Sequence, residues 1–233
     1  MADERVSVST AVLDPVSGAT GLHESRPGHL FVTASIVKAD VLATLLLQTQ
    51  DAGTALTGTQ SALATAMIAE SDNAATGRLW TEIGGDEGLN AANKRFGLTS
   101  TTGGENGYWG LTTTIAADQS VLLRQLLGPA SDSLLDSGRR AYVRGLMESV
   151  VPGQRWGVSS AADPGTRTAL KNGWLPRGSS GLWVVNSIGA VRRGGRTLLL
   201  AALSDGHATQ ADGIARVEAA ARATAEALRG SAD

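Results

Sequence analysis

Residues 33–41 read TASIVKADV and place Ser35 three positions before Lys38. If a helix begins here, the two side chains lie one turn apart and share a face. A serine hydroxyl becomes an effective nucleophile when a neighbouring base takes its proton, and a lysine amine is such a base once its pKa is lowered. The stretch therefore indicates a nucleophile and its base, although a helix whose Ser and Lys simply face water has the same spacing. Lysine is rare here, since the only others are Lys94 and Lys171.

A second polar cluster consists of Ser71, Asp72 and Asn73, which lie between two stretches with helical periodicity. Serine, aspartate and asparagine are preferred helix N-caps, so one interpretation is purely structural. The other interpretation is chemical, because a hydroxyl and an amide in a short polar loop could relay a proton and orient a substrate amide. The two interpretations are compatible, and the sequence leaves both open.

A third candidate stretch, Lys171-Asn172-Gly173, begins the strand-rich part of the chain. A lysine at this place could attract a substrate carboxylate, and the glycine lets a ligand or a neighbouring backbone approach the strand closely. The alternative is an edge-strand lysine that discourages aggregation.

The segments that must position these residues have clear periodicities. Alternation over residues 5–13 predicts a strand, and DPVSG followed by ATGLHES predicts a hairpin. Apolar spacing of three and four residues predicts a helix from residue 33 to DAG. Further helices are predicted at about 59–69, 73–82, 87–95, 113–127 and 136–149. Two late strands, GLWVVNSIGAV and RTLLLAALS, precede an amphipathic C-terminal helix.

This order of strands, helices, strands and a closing helix predicts an α/β protein of the α+β type. We expect an antiparallel sheet built from both chain ends, with an all-helical lobe inserted between them. Residues 1–233 then form a single domain, with an α/β lobe from 1–30 and 165–233 and a helical lobe from 31–164. A chain of 233 residues is long enough to form two such lobes.

The composition excludes several classes of function. A net charge of −2 and a pI near 5.9 give no basic surface for nucleic acid. The chain has no cysteine, which excludes disulfides, thiolate nucleophiles and cysteine metal sites. The three histidines, His23, His29 and His207, have no metal-ligand spacing, and no nucleotide-binding motif follows a strand. We therefore expect neither a metal nor another cofactor.

The apolar runs are short. The longest, such as VLATLLL, have about seven residues, against the ~20 that a membrane span needs. The first residues, MADERVSVST, lack the basic and apolar regions of a signal peptide. We expect a soluble chain, extracellular or periplasmic if a signal has been removed, while the sequence leaves its oligomeric state open.

In chain order, Ser35–Lys38, Ser71–Asn73 and Lys171–Gly173 resemble the S-x-x-K, S-D-N and K-T-G motifs of penicillin-recognising serine enzymes. Class A β-lactamases are the most similar group, and the resemblance covers nearly the whole chain. It implies a five-stranded antiparallel sheet that is flanked by terminal helices and packed on an all-helical lobe, with the active site between the lobes. It also implies a covalent acyl-enzyme mechanism and a small-molecule or peptide-like acyl substrate that bears a carboxylate.

For proton transfer, the resemblance implies three residues. Ser35 is the acylated nucleophile, Lys38 is its amine partner, and Ser71 relays the proton. Backbone N–H groups of Ser35 and Trp174 are implied to form the oxyanion hole.

For substrate binding, the resemblance implies that Asn73 binds the substrate amide and that Lys171 faces the substrate carboxylate. Asn172 stands where the family has the threonine of K-T-G, and its amide still donates hydrogen bonds although it is larger than a hydroxyl. Gly173 and Trp174 complete the substrate-binding strand.

The largest departure from class A enzymes is the loop at residues 99–110, TSTTGGENGYWG. Class A enzymes carry a longer loop there with E-x-x-L-N, whose glutamate activates the water that hydrolyses the acyl-enzyme. This chain has no such motif, and Glu105 is the only carboxylate in the segment. A solvated acid at a loop tip is the favoured interpretation of Glu105, and a catalytic carboxylate is the alternative.

Three functional hypotheses follow. The first is a serine acyl-enzyme hydrolase related to class A β-lactamases that attacks an amide or β-lactam carbonyl. The second assigns a different reaction to the same site: D,D-peptidase, esterase, amidase or acyl-transferase activity with slow β-lactam deacylation. The third is a non-catalytic protein with a penicillin-binding fold, in which Ser35 is never acylated.

Overall fold

Strands from both ends of the chain form one antiparallel sheet in the computed structural model, which describes residues 6–178 and 180–230. The strands within these residues are β1 Ser7–Leu13, β2 Thr20–Glu24, β3 Phe31–Val32, β4 Thr113–Thr114, β5 Ala169–Pro176, β6 Trp183–Arg193 and β7 Arg196–His207. The main sheet has the order β2-β1-β7-β6-β5, and β3 and β4 pair separately. All neighbouring strands in the main sheet are antiparallel, so the predicted five-stranded sheet is confirmed.

The middle of the chain is mainly helical, as its apolar periodicity predicts. The α-helices of the described residues are α1 Val37–Asp51, α2 Gly58–Thr65, α3 Asn73–Glu82, α4 Gly85–Phe96, α5 Ala116–Leu127, α6 Ser137–Glu148 and α7 Gln210–Gly230. The predicted helix at 113–127 begins later because its first residues pair as β4 with β3. The predicted helix at 59–69 changes to π geometry over Ala66–Glu70.

The sheet separates two apolar layers, because successive side chains of a strand point to opposite faces. On β7, Leu199 and Leu203 belong to the large core that the sheet shares with the helical lobe. Leu198 and Leu200 belong to the smaller core that the sheet shares with α7. The C-terminal helix therefore covers the outer face, while the inserted helices cover the inner face.

Two parts of the α/β lobe differ from the sequence-based expectation. Within residues 6–178 and 180–230, the terminal helix that flanks the sheet is α7. The predicted helical lobe, residues 31–164, includes the short 3-10 helix Gly157–Ala161, but Val158 and Ala161 pack in the outer core with Leu170 and Ala221. The outer layer therefore includes this segment as well as α7.

Helix α1 is buried almost all round, as expected for a helix with apolar residues on every face. Its buried residues include two ionisable groups, Lys38 and Asp40. Burial raises the pKa of Asp40 to about 7, and the nearby Asp118 adds to the rise, while the Asn93 amide opposes it. The helix that carries Lys38 therefore runs through the centre of the helical lobe.

No helix of residues 6–178 and 180–230 is long and apolar enough to cross a membrane.

Candidate active site

Ser35 lies in a short 3-10 helix, Ala34–Ile36, immediately before α1. Ala34 has a φ of 48°, a left-handed conformation that non-glycine residues rarely adopt and that often occurs at functional sites. The turn is attached to the sheet by Asn186, whose amide donates to the carbonyls of Val32 and Thr33 at 2.8 and 3.1 Å. Ser35 is thus held, half-buried, where the sheet meets the helical lobe.

Ser71 is presented by a second strained backbone segment. The π turn Ala66–Glu70 ends helix α2, and Ser71 follows with a left-handed φ of 59°. π turns in helices are frequent at functional sites. Asp72 then accepts a hydrogen bond from the N–H of Ala75 at 2.6 Å and caps helix α3. The capping interpretation is therefore correct for Asp72, and it leaves the Ser71 side chain free to face the lysines.

The Lys38 ammonium is fully buried and donates three hydrogen bonds. Its acceptors are the Ser71 carbonyl at 2.7 Å, the Ser71 hydroxyl at 3.0 Å and the Asn73 side-chain oxygen at 2.8 Å. Burial lowers the pKa of Lys38 to about 8, although the charge of Asp72 opposes this. The amine is therefore neutral in an appreciable fraction of molecules near pH 8, as a base requires.

Lys171 is also fully buried, so the interpretation of an exposed edge-strand lysine is wrong. Its ammonium donates to the Ser71 hydroxyl at 3.1 Å and to the Asn172 carbonyl at 2.9 Å. Burial, together with the charge of Lys38, lowers the pKa of Lys171 to about 7. The Ser71 hydroxyl thus bridges two amines that compete for protons.

Gly173 brings strand β5 against the turn of Ser35. A Cβ atom at this position would lie 2.6 Å from the Ser35 nitrogen, 2.7 Å from the Ile36 nitrogen and 2.7 Å from the Thr33 carbonyl oxygen. No residue other than glycine fits such a gap without a backbone shift. This close approach places the backbone of β5 next to that of Ser35, where the oxyanion hole is predicted.

Two residues of β5 are oriented differently from the expectation. The Asn172 side chain is fully buried, and its amide donates to the carbonyls of Gln154 and Trp156 at 2.8 and 3.0 Å. It therefore has no amide hydrogen left for a substrate. The Trp174 ring packs on Trp156 with ring centroids 5.7 Å apart, in the outer layer of the sheet. Only the backbone of Trp174 remains for the predicted oxyanion hole.

The loop at residues 99–110 presents an aromatic ring to the lysine rather than a carboxylate. Glu105 is exposed, and in the described residues its carboxylate forms no hydrogen bond or ion pair. Trp109 instead lies over Lys38, with the ammonium nitrogen 4.9 Å from the ring centroid. The structure thus brings Lys38, Ser71, Asn73 and Lys171 together but leaves Glu105 at the loop tip.

Three residues that support the site were not identified from sequence. Asn186 anchors the Ser35 turn, and a polar residue within the apolar run WVVNSIGAV was the signal for it. Gln154 donates to the Glu70 carbonyl at 3.0 Å, next to Ser71, while its own carbonyl accepts from Asn172. Trp109 belongs to a Tyr-Trp pair, which in a loop more often covers a core edge or a substrate, but nothing in the sequence indicates that its ring lies over Lys38. In the described part of the chain, no group of three or more His, Cys, Asp or Glu residues could hold a metal ion.

A sequence profile described as the β-lactamase enzyme family matches residues 2–228. The chain belongs to the β-lactamase enzyme family. Solved structures of the same fold include a class A β-lactamase from Bacteroides cellulosilyticus, with a TM-score of 0.81, 17% identity, and coverage of 98% of this chain and 94% of that chain. PBP-A has a TM-score of 0.80 and 18% identity, with coverage of 98% and 92%. At these identities the comparison establishes the fold of this family member.

The curated relatives include LppW of Mycobacterium tuberculosis and of Mycobacterium bovis, which is named as a lipoprotein. Each is 28% identical over 176 residues, which cover 72% of this chain and 54% of the relative. This β-lactamase family chain therefore spans about half the length of the curated relatives that it matches.

Proposed function

We propose that this β-lactamase family protein is a serine acyl-enzyme hydrolase in which Ser35 attacks a β-lactam or peptide-like amide carbonyl. The observation that supports this most is the Ser71 hydroxyl, which lies 3.0 Å from the Lys38 amine and 3.1 Å from the Lys171 amine. Two buried lysines this close are unfavourable for stability, because each charge loses its hydration and repels the other. Their pKa values are lowered to about 8 and about 7, close to the pH at which a catalytic acid or base must exchange protons.

The proposed acylation step uses Ser35, Lys38 and Ser71. The Ser35 oxygen bonds to the carbonyl carbon while its proton passes to neutral Lys38, one helical turn away. Backbone N–H groups at the Ser35 turn and on β5 stabilise the oxyanion. The C–N bond then breaks, and the leaving nitrogen takes a proton from Lys38 through the Ser71 hydroxyl. The product is an ester on Ser35, with all protons accounted for.

Substrate binding is assigned to residues of the same site. The Asn73 oxygen accepts from Lys38 at 2.8 Å, so its exposed amide nitrogen is the atom left to face a substrate amide. Lys171 supplies positive charge for a substrate carboxylate. A carboxylate beside Lys171 stabilises the charged form of Lys171. When only one of the two lysines is charged, that lysine is then Lys171, and Lys38 is neutral.

The proposal also covers location. The name of the curated relatives is that of a lipoprotein. We therefore propose that this protein acts in an exported setting.

Intact mass spectrometry over time, after mixing the protein with penicillin G or a cephalosporin, tests the function. We expect an added mass equal to the whole β-lactam, and peptide mapping should locate it on Ser35. Rapid turnover with a transient adduct supports β-lactamase activity, and a lasting adduct supports a peptidase-like or transferase site. If none of penicillin, cephalosporin and the activated ester p-nitrophenyl acetate forms an adduct and none is consumed, the proposal is overturned in favour of the non-catalytic hypothesis.

The pH dependence of acylation should distinguish the roles of the two lysines. As the pH rises from about 6 to 8, the amine pair with pKa values of about 7 and about 8 loses its first proton, so acylation by penicillin G accelerates. At higher pH the second proton is lost, the attraction for the substrate carboxylate disappears, and the rate falls. p-Nitrophenyl acetate has no carboxylate, so its rate should rise without the fall. A falling limb for both compounds would contradict the role of Lys171.

A further inference from the structure

The fate of the acyl-enzyme depends on whether water can reach Lys38. In hydrolysis, the water oxygen bonds to the ester carbon of acylated Ser35 and its proton passes to neutral Lys38. The ester C–O bond then breaks, and the Ser35 oxygen regains a proton from Lys38. A hydrolytic water must therefore contact both the ester carbon and the Lys38 amine.

The surroundings of Lys38 leave little room for such a water. Ser71 and Asn73 occupy one side of the amine with three hydrogen bonds. The indole of Trp109 covers another side at 4.9 Å. No carboxylate hydrogen-bonds to Lys38 in residues 6–178 and 180–230, and Asp72, whose charge acts on it, faces helix α3. The group that meets Lys38 from the loop is thus apolar.

The position of Trp109 is fixed by the loop backbone. The N–H of Thr112 donates to the Trp109 carbonyl at 3.1 Å, and the Thr112 carbonyl accepts from the N–H of Thr33 at 2.8 Å. Two backbone hydrogen bonds of 3.0 Å join Thr102 to Thr113 across the base of the loop. The Trp109 ring is half-buried and packs against the main core. The loop is therefore tied directly to the turn that carries the nucleophile.

We propose that Trp109 is a positioning residue that keeps water away from Lys38 and so determines the lifetime of the acyl-enzyme on Ser35. The inference rests on the proposed acylation of Ser35. It goes further by assigning the slow step to one side chain. Acylation is unaffected by this exclusion, because it needs no water and Ser35 itself supplies the proton to Lys38.

The test compares adduct lifetimes in the wild type, Trp109→Ala, Trp109→Gln and Trp109→Phe. After labelling with penicillin G or p-nitrophenyl acetate and removal of excess reagent, intact mass follows the loss of the adduct. We expect at least about 10-fold faster loss in Trp109→Ala and Trp109→Gln, which corresponds to a barrier change of about 1.4 kcal/mol. Trp109→Phe keeps an aromatic cover and should stay within about 3-fold of the wild type. Trp183→Ala, which removes an equally half-buried ring on the outer face of the sheet, is the matched control.

A second measurement reports on water at Lys38 without any substrate. The chain has three lysines, so 13C-labelled lysine gives resolvable NMR titrations. Because burial is the main cause of the lowered pKa of Lys38, the water that Trp109→Gln admits should raise that pKa towards 10.5 by more than the lost attraction between ring and ammonium lowers it. Equal adduct lifetimes in the wild type and Trp109→Gln, or an unchanged Lys38 titration, overturn the inference and leave acylation intact. A wild type that forms no adduct on Ser35 and consumes neither reagent overturns the proposed function, and the inference with it.

Discussion

Acylation of Ser35 is expected to fall by roughly 100- to 10,000-fold when Lys38 is replaced by arginine, the usual contribution of a general base. The substitution keeps a positive charge next to Ser71 and Asn73, so simple electrostatic attraction is preserved. A guanidinium in a protein stays protonated, however, and so never accepts the serine proton. The large loss would show that Lys38 acts through its neutral form and not through its charge. The rate is measured by intact mass or by the absorbance of p-nitrophenol from p-nitrophenyl acetate.

Two further variants define the scale of this experiment. Ser35→Ala sets the level of labelling without a nucleophile and should show no adduct at Ser35. Lys94→Arg is the matched control, because Lys94 is the exposed lysine of helix α4 and has no contact with the site. Thermal unfolding of each variant checks that the buried substitution has not unfolded the helical lobe. A Lys38→Arg protein that acylates within about 3-fold of Lys94→Arg would rule out Lys38 as the base.

The fold could be predicted because apolar residues recur at regular intervals along its strands and helices. Alternation in β1 and apolar spacing in α1 are local properties, and the order of elements then requires the two chain ends to meet in one sheet. The position of the segment Gly157–Ala161 could not be predicted in this way. Its two apolar residues, Val158 and Ala161, pack with residues of the sheet and of α7 that come later in the chain, such as Leu170 and Ala221.

The candidate site was predictable to the extent that it depends on residue type and order. Lys38, Ser71 and Lys171 stood out because lysine is rare in the chain and because the serine lies in a polar cluster. The outward rotation of Asn172 follows from the strand register, since its neighbours Lys171 and Gly173 point to the helical lobe. A three-residue motif does not reveal which of its side chains point to the helical lobe.

The loop residues were beyond prediction for a different reason. Trp109 meets Lys38 because backbone hydrogen bonds between residues far apart in sequence, such as Thr33 and Thr112, fix the path of the loop. Glu105 is a candidate catalytic residue because it is the loop's only carboxylate, but a carboxylate can act as a base only if it points towards the reacting atoms. The buried Asp40, whose pKa is raised to about 7, shows the same limit, since its polar type gave no indication of burial in α1.

Replacement of Gly173 by alanine is expected to reduce acylation by roughly 100-fold or more, the size of losing an oxyanion-hole donor. The added methyl group would lie 2.6 Å from the Ser35 nitrogen and 2.7 Å from the Ile36 nitrogen. Both contacts are to backbone, so the strand or the turn must move, and either movement separates the predicted oxyanion donors. The labelling assay with penicillin G measures the loss, and circular dichroism follows the fold.

The control for this substitution is Gly178→Ala, in the turn that follows β5. A Cβ atom at Gly178 meets no atom within 4 Å, and its φ is not left-handed, so the same change of residue adds no clash. Because β5 is an edge strand, Gly173→Ala should lower the unfolding temperature but keep cooperative unfolding. The decisive comparison is the acylation rate of folded Gly173→Ala against Gly178→Ala. Equal rates would mean that the approach of β5 to Ser35 serves packing alone, and the oxyanion hole would have to lie elsewhere.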